Sequence, residues 1–106
     1  KLQTKQKYRK KDLAKRVVKL YLEQTPKMLE ELESANKESN SEALVHIAHT
    51  LKSSSLTVGA MKLAEACRKI EEHGAHGQIE SALIENLPAD YSAVKEALAS
   101  VLEDDE

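Results

Sequence analysis

A histidine at position 49, a lysine at position 52 and three serines, Ser53, Ser54 and Ser55, follow one another closely in this chain. An imidazole nitrogen is a nucleophile, and an imidazole in water is largely neutral at cellular pH. A lysine three residues on can offset the charge of an anion carried by that ring. Ser53 and Ser54 are small enough to leave room for an approaching partner, and their hydroxyls can donate hydrogen bonds. The set suits an imidazole that takes up a phosphoryl group and passes it on. No carboxylate cluster accompanies it to hold a magnesium ion, so the metal and the second acceptor would come from a partner.

The element that must present these groups is a helix. At roughly 100° per residue, Leu44, Ala48, Leu51 and Ser55 share one side, which is the side to be buried. His49 falls roughly 140° from Leu44 on that wheel, on the exposed flank. Lys52 and Ser53 are its i+3 and i+4 neighbours, and Val45, at i−4, offers an apolar surface beside the ring.

The rest of the chain reads as helices as well. Residues 1–10 read as a basic linker or N-terminal arm ahead of a domain over 11–106, with Asp12 as an N-cap. A stripe of Val18, Leu22, Thr25, Leu29 and Leu32 keeps the helical period to about residue 36. It stays in phase across Pro26, which predicts one long helix kinked where the proline ring meets the carbonyl of Leu22. The alternative is a break there, with Thr25 capping a second helix. Ser41 is placed to cap the helix of His49, which runs to about Ser55. Gly59 can take a positive φ in the turn that follows. Ala60, Leu63, Cys67 and Ile70 mark a third helix, closed by Gly74, before a loop from His73 to Gly77. Leu83, Leu87, Tyr91, Val94, Leu98 and Val101 mark a fourth, in phase across Pro88. No stretch alternates with period two for long enough to be a strand. Short loops between four amphipathic helices predict an all-α fold, an antiparallel up-down-up-down four-helix bundle.

Composition agrees with one soluble domain. The chain has 106 residues, 41% apolar and 32% charged, with three Gly and two Pro, too few for the turns of an all-β sandwich. One cysteine excludes an internal disulfide framework. No apolar run suffices to cross a membrane, and no signal peptide is visible. These features favour a cytoplasmic domain, either free or excised from a larger membrane protein. Nine of the 16 Lys and Arg precede residue 20, whereas Glu103, Asp104, Asp105 and Glu106 end the chain. The basic cluster has no interleaved aromatic residue beyond Tyr8 and leads into no nucleic-acid motif, so it reads as solvated surface. Cys67 reads as a small core residue, and Tyr21 and Tyr91 as core-edge residues with hydroxyls reaching water.

The run His46-Ile47-Ala48-His49-Thr50-Leu51-Lys52-Ser53-Ser54-Ser55, with Val58-Gly59-Ala60, Leu63 and Glu71 downstream, resembles the histidine-containing phosphotransfer (HPt) domains of multistep two-component phosphorelays. Residues 22–32 look like the helix that precedes the active helix in that family, and the resemblance covers about residues 12–103. It implies that His49 is the phosphorylated histidine and Lys52 the cation that steadies the phosphoryl group. Gly59 would shape the turn out of the active helix. Glu71 would orient the imidazole, accepting from Nδ1–H and leaving Nε2 free to attack. Val45, His46 and Arg68 would belong to the surface on which a receiver domain docks.

One departure is Ser53, where relatives often carry Gly. The implied partners are receiver domains of response regulators and of a hybrid sensor kinase, of which this would be the C-terminal domain on the cytoplasmic side of the inner membrane. The domain would be a monomeric phosphocarrier with no ATP site, no cofactor of its own, and no direct contact with nucleic acid or membrane. Magnesium would sit on the receiver.

Two other readings compete. His46 and His49, with His73 and His76 further on, could form a metal site. Alternatively, the chain is a helical interaction module whose His49 is never modified.

Overall fold

A computed structural model describes residues 2–103, with side chains from residue 12 onward. Within it lie four α-helices: α1 (Leu2–Lys37), α2 (Ser41–Thr57), α3 (Met61–Ala75) and α4 (Ser81–Glu103), with no strand among the described residues. The side chains of the basic run up to Lys11, and the acidic end beyond Glu103, lie outside the described residues.

Helix α1 begins at Leu2, so the expected linker is helical and Asp12 is an interior residue, not a cap. Residues 2–11 contain neither Gly nor Pro and are rich in Lys, Gln, Arg and Leu, which extend a helix readily. Pro26 lies inside an unbroken α1. Its ring removes one N–H from the ladder and leaves the Leu22 carbonyl without its i+4 donor. The Tyr91 hydroxyl of α4 donates to that carbonyl at 3.2 Å. Thr25 does not cap a second helix; it is buried, and its Oγ1 donates to the Tyr21 carbonyl at 2.6 Å.

The three connections close in the same way. The N–H groups of Asn40, Ala60 and Gln78 reach back to the carbonyls of Ala35, Ser55 and His73 at 2.9, 2.8 and 2.9 Å. The residue before each of them, Ser39, Gly59 or Gly77, has positive φ, and its own N–H bonds to Asn36, Leu56 or Gly74. These are Schellman closures, for which glycine is the usual residue. Ser39 holds φ of 54° with a β-carbon in place, a conformation that costs an L-residue roughly 1–2 kcal/mol. Ser39→Gly should therefore raise stability by about 0.5 kcal/mol, after the added freedom of the unfolded chain is subtracted. A small rise in Tm checks this, and a fall would contradict the account.

Helix α2 is capped by Asn40, not Ser41: the Asn40 side chain accepts from the Ala43 N–H at 3.1 Å, and Ser41 is the first helical residue. Gly74 does not close α3 either. It is buried inside the helix, which runs on to Ala75, and His73 is helical as well.

The helices form a ring in which α1 packs on α2 and α4, and α3 packs on α2 and α4. Neither diagonal pair approaches closely among the described residues. Leu32, Leu44, Leu51, Leu63, Ile70 and Leu87 are fully buried at the centre. Cys67 is buried with them, and burial pushes its thiol up to about 12, so it behaves as a small apolar residue. The two tyrosines correct the expectation of water-facing hydroxyls. Tyr21 is buried and its hydroxyl pairs with the buried Ser55 Oγ at 2.8 Å, tying α1 to the back of α2. Tyr91 reaches Leu22 as described, and the two rings lie 6.2 Å apart at 56°. Bulky hydroxyl side chains can enter a core when a partner waits inside it, and every buried side-chain polar atom among the described residues has one.

Candidate functional site

Helix α2 buries Leu44, Ala48, Leu51 and Ser55, which turns His49 outward. The His49 side chain keeps 61% of its surface exposed. Its Nδ1 lies 2.8 Å from Oε2 of Glu71, which α3 presents from across the α2–α3 groove. The other oxygen of that carboxylate, Oε1, accepts from Lys52 Nζ at 2.6 Å. Lys52 and Glu71 are three-quarters buried, at 25% and 23% exposure.

Glu71 thus joins the two α2 side chains on a single carboxylate. The ammonium of Lys52, then the hydrogen bond with His49, hold its carboxyl below the usual range. The group is therefore ionised and can only accept hydrogen bonds. Nδ1–H is therefore the donor to Glu71, and in the neutral ring the free lone pair is on Nε2.

An open depression of about 640 Å³ lies beside the ring, lined by Ser41, Glu42, Val45, His46 and His49 of α2 and by Glu71, Gly74, Ala75 and Gly77 across the groove. Val45 and His46 therefore share a surface with His49. Arg68 does not line this depression. It is exposed on α3 and engaged by Glu65 at 2.8 and 3.0 Å and by Glu72 at 3.5 Å. Ser53 is exposed one turn beyond His49. Ser54 is turned away: it lies roughly 140° around the helix from His49, and its hydroxyl donates to the Leu51 carbonyl at 3.1 Å. Ser54 therefore sits off the face of His49, unlike Ser53, because five residues make about 1.4 helical turns. Gly59 sits in the α2–α3 turn with φ of 79°. His73 pairs with Glu80 at 2.6 Å, away from His46 and His49. Among the described residues, no group of three or more His, Cys, Asp or Glu is placed to hold a metal ion.

Sequence reasoning missed the role of Gly74. A β-carbon there would lie 2.7 Å from Val45 Cγ2 and 3.4 Å from the Ser41 carbonyl. Its lack of a side chain lets α3 approach α2 near the candidate site. A glycine inside an otherwise regular helical period is the signal that could have found it. Gly74→Ala gains about 1 kcal/mol of helix propensity, yet overpacking against a stiff β-branched neighbour should make it a net loss of roughly 1–2 kcal/mol. In a Val45→Ala background the same substitution should stabilise. Equal effects in both backgrounds, measured by denaturant unfolding, would contradict the contact.

The fold and this arrangement define a helical histidine domain, and comparison with known proteins supplies its family. The family model for the Hpt domain matches residues 16–103. The chain belongs to the Hpt domain family. The crystal structure of histidine-containing phosphotransfer protein B from Pseudomonas aeruginosa PAO1 is similar to it, at 26% sequence identity and a TM-score of 0.77, over 81% of this chain and 76% of that one. No curated protein matches the chain.

Proposed function

We propose that this domain carries a phosphoryl group on His49, accepting it from the phosphoaspartate of one receiver domain and giving it to another. The observation that carries this reading is the ring of His49: exposed, with Nδ1 engaged by Glu71, which leaves Nε2 as the nitrogen to react. Attack by Nε2 forms an N–P bond as the acyl phosphate's P–O bond breaks, and the bonding pair leaves with the aspartate carboxylate. Nδ1 keeps its proton throughout, shared with Glu71, and the reverse sequence unloads the domain.

Membership in the Hpt family and the likeness to a phosphotransfer protein support a place in a two-component phosphorelay. In this role the domain is a phosphocarrier, to which no ATP-dependent step is assigned. The magnesium ion and acidic pocket belong to the receiver. The receiver meets the face of Val45, His46 and His49, with Ser53 at its edge. A cytoplasmic position within a hybrid sensor kinase is part of this reading, resting on the Hpt family membership; no described helix is long and apolar enough to cross a membrane. An antiparallel up-down-up-down course is supported by the ring of neighbours and by connections over 38–40, 58–60 and 76–80.

The experiment is a transfer profile against a panel of phosphorylated receiver domains. Rapid movement of acid-labile phosphate onto this domain from at least one receiver, and off it to another, is expected. Absence of transfer from every receiver in the panel would overturn the proposal.

A further inference from the structure

Lys52 does not stand free beside His49; it is held. Its ammonium and the Glu71 carboxylate approach to 2.6 Å, a charge-assisted contact between two part-buried groups, which water screens less than a fully exposed pair. The carboxylate uses each oxygen once: Oε1 for Lys52 and Oε2 for His49. Either bond can therefore be given up while the other stays. Arg68, one turn back on α3, is no substitute cation, because Glu65 and Glu72 engage it.

We propose that Glu71 is a positioning residue that keeps Lys52 in reserve: the ammonium rests on Oε1 in the unmodified domain and leaves it for the phosphoryl oxygens when His49 is modified. This rests on the reading of His49 as phosphoryl acceptor and deepens it. A phosphoryl group on Nε2 brings a second centre of negative charge beside Glu71. Lys52, at i+3 from His49 on a flexible four-carbon stem, is within reach of both. The ammonium stays protonated throughout, and the ring retains its bond to Oε2. The bond to Oε1 is present before transfer and absent after it, so it favours the unloaded state. Glu71 thereby biases the domain toward passing phosphate on.

A double-mutant cycle tests the claim by its sign. The measured quantity is the equilibrium between a phosphorylated receiver and phosphorylated His49, for the wild type, Lys52→Met, Glu71→Gln and the double variant. Glutamine keeps an oxygen for Nδ1–H and removes the charge that holds the ammonium. If Lys52 must leave Glu71 to serve the phosphoryl group, loss of Lys52 should lower the phosphohistidine fraction more in the Glu71→Gln background than in the wild type, by roughly threefold to fivefold for a partly exposed ion pair. If Glu71 merely aims Lys52, or Lys52 never moves, the loss is equal in both backgrounds or greater in the wild type, and the proposal falls. Repeating the cycle with Lys52→Gln guards against a folding defect peculiar to one variant, and should give the same sign. Failure of the wild type itself to accept phosphate would overturn the phosphocarrier reading; a wrong sign in a wild type that does accept it overturns only the proposal about Glu71.

Discussion

His49→Gln should abolish acceptance of phosphate from a receiver while leaving the domain folded. Glutamine is close to histidine in length and tolerates a helix well. With 61% of the side chain exposed, little packing is lost, so far-ultraviolet circular dichroism and Tm should change by no more than surface substitutions usually cause. What disappears is the one nitrogen at this position able to form an N–P bond. An amide nitrogen has its lone pair delocalised into the carbonyl and is not a nucleophile. The matched control is His46→Gln, one turn away on the same exposed flank and lining the same depression. That variant should still be labelled, with any change confined to how tightly the receiver docks. Full labelling of His49→Gln, or loss of labelling in His46→Gln alone, would exchange the roles of the two histidines.

Leu51→Ala should be the most damaging conservative change near the site. Leu51 is completely buried on the opposite side of α2 from His49, beside Leu44, Ala48 and Ser55. Removing a fully buried leucine side chain loses its transfer free energy and leaves a cavity, typically about 3 kcal/mol together. Domains of this size are stable by only roughly 5–15 kcal/mol, so the expected fall in Tm is about 10–20 °C. Leu56→Ala, five residues on in the same helix but 49% exposed, should cost well under 1 kcal/mol. Comparable losses for the two variants in thermal or denaturant unfolding would mean that α2 is not rotated as described, and that His49 does not face outward.

That rotation was readable from the chain alone. Leu44, Ala48, Leu51 and Ser55 recur at the helical period, and hydrophobic burial leaves α2 one way to turn. The same argument located α3 and α4. It kept α1 whole across Pro26, because the apolar stripe holds its phase there. Helix ends were less legible. Asn40 and Ser41 are both good capping residues, and only the position of the Ala43 N–H decides between them. Asp12 has the chemistry of a cap, but nothing before it stops the helix. Gly74 has the chemistry of a terminator and serves to let two helices meet. Schellman closure at Ser39 was invisible because serine rarely adopts that φ.

Within the site, the placement of His49 and Lys52 follows from one helix and was accessible to the wheel. Glu71 is different. It lies 22 residues beyond His49, and its placement opposite the ring depends on how α3 packs on α2, which periodicity does not specify. The resemblance pointed to it as a partner of the imidazole. Its second bond, to Lys52, emerged only from the packed helices, as did the pairing of Arg68 with Glu65 and Glu72.

The most direct measurement is to locate the phosphate. The wild-type domain is mixed with a phosphorylated receiver and magnesium, quenched at alkaline pH, and mapped by peptide mass spectrometry, before and after addition of a second, unphosphorylated receiver. The account predicts phosphate on His49 in the first sample and its loss to the second receiver in the other. Phosphate on His46, His73 or His76 instead, or phosphate on His49 that no receiver can remove, would contradict it.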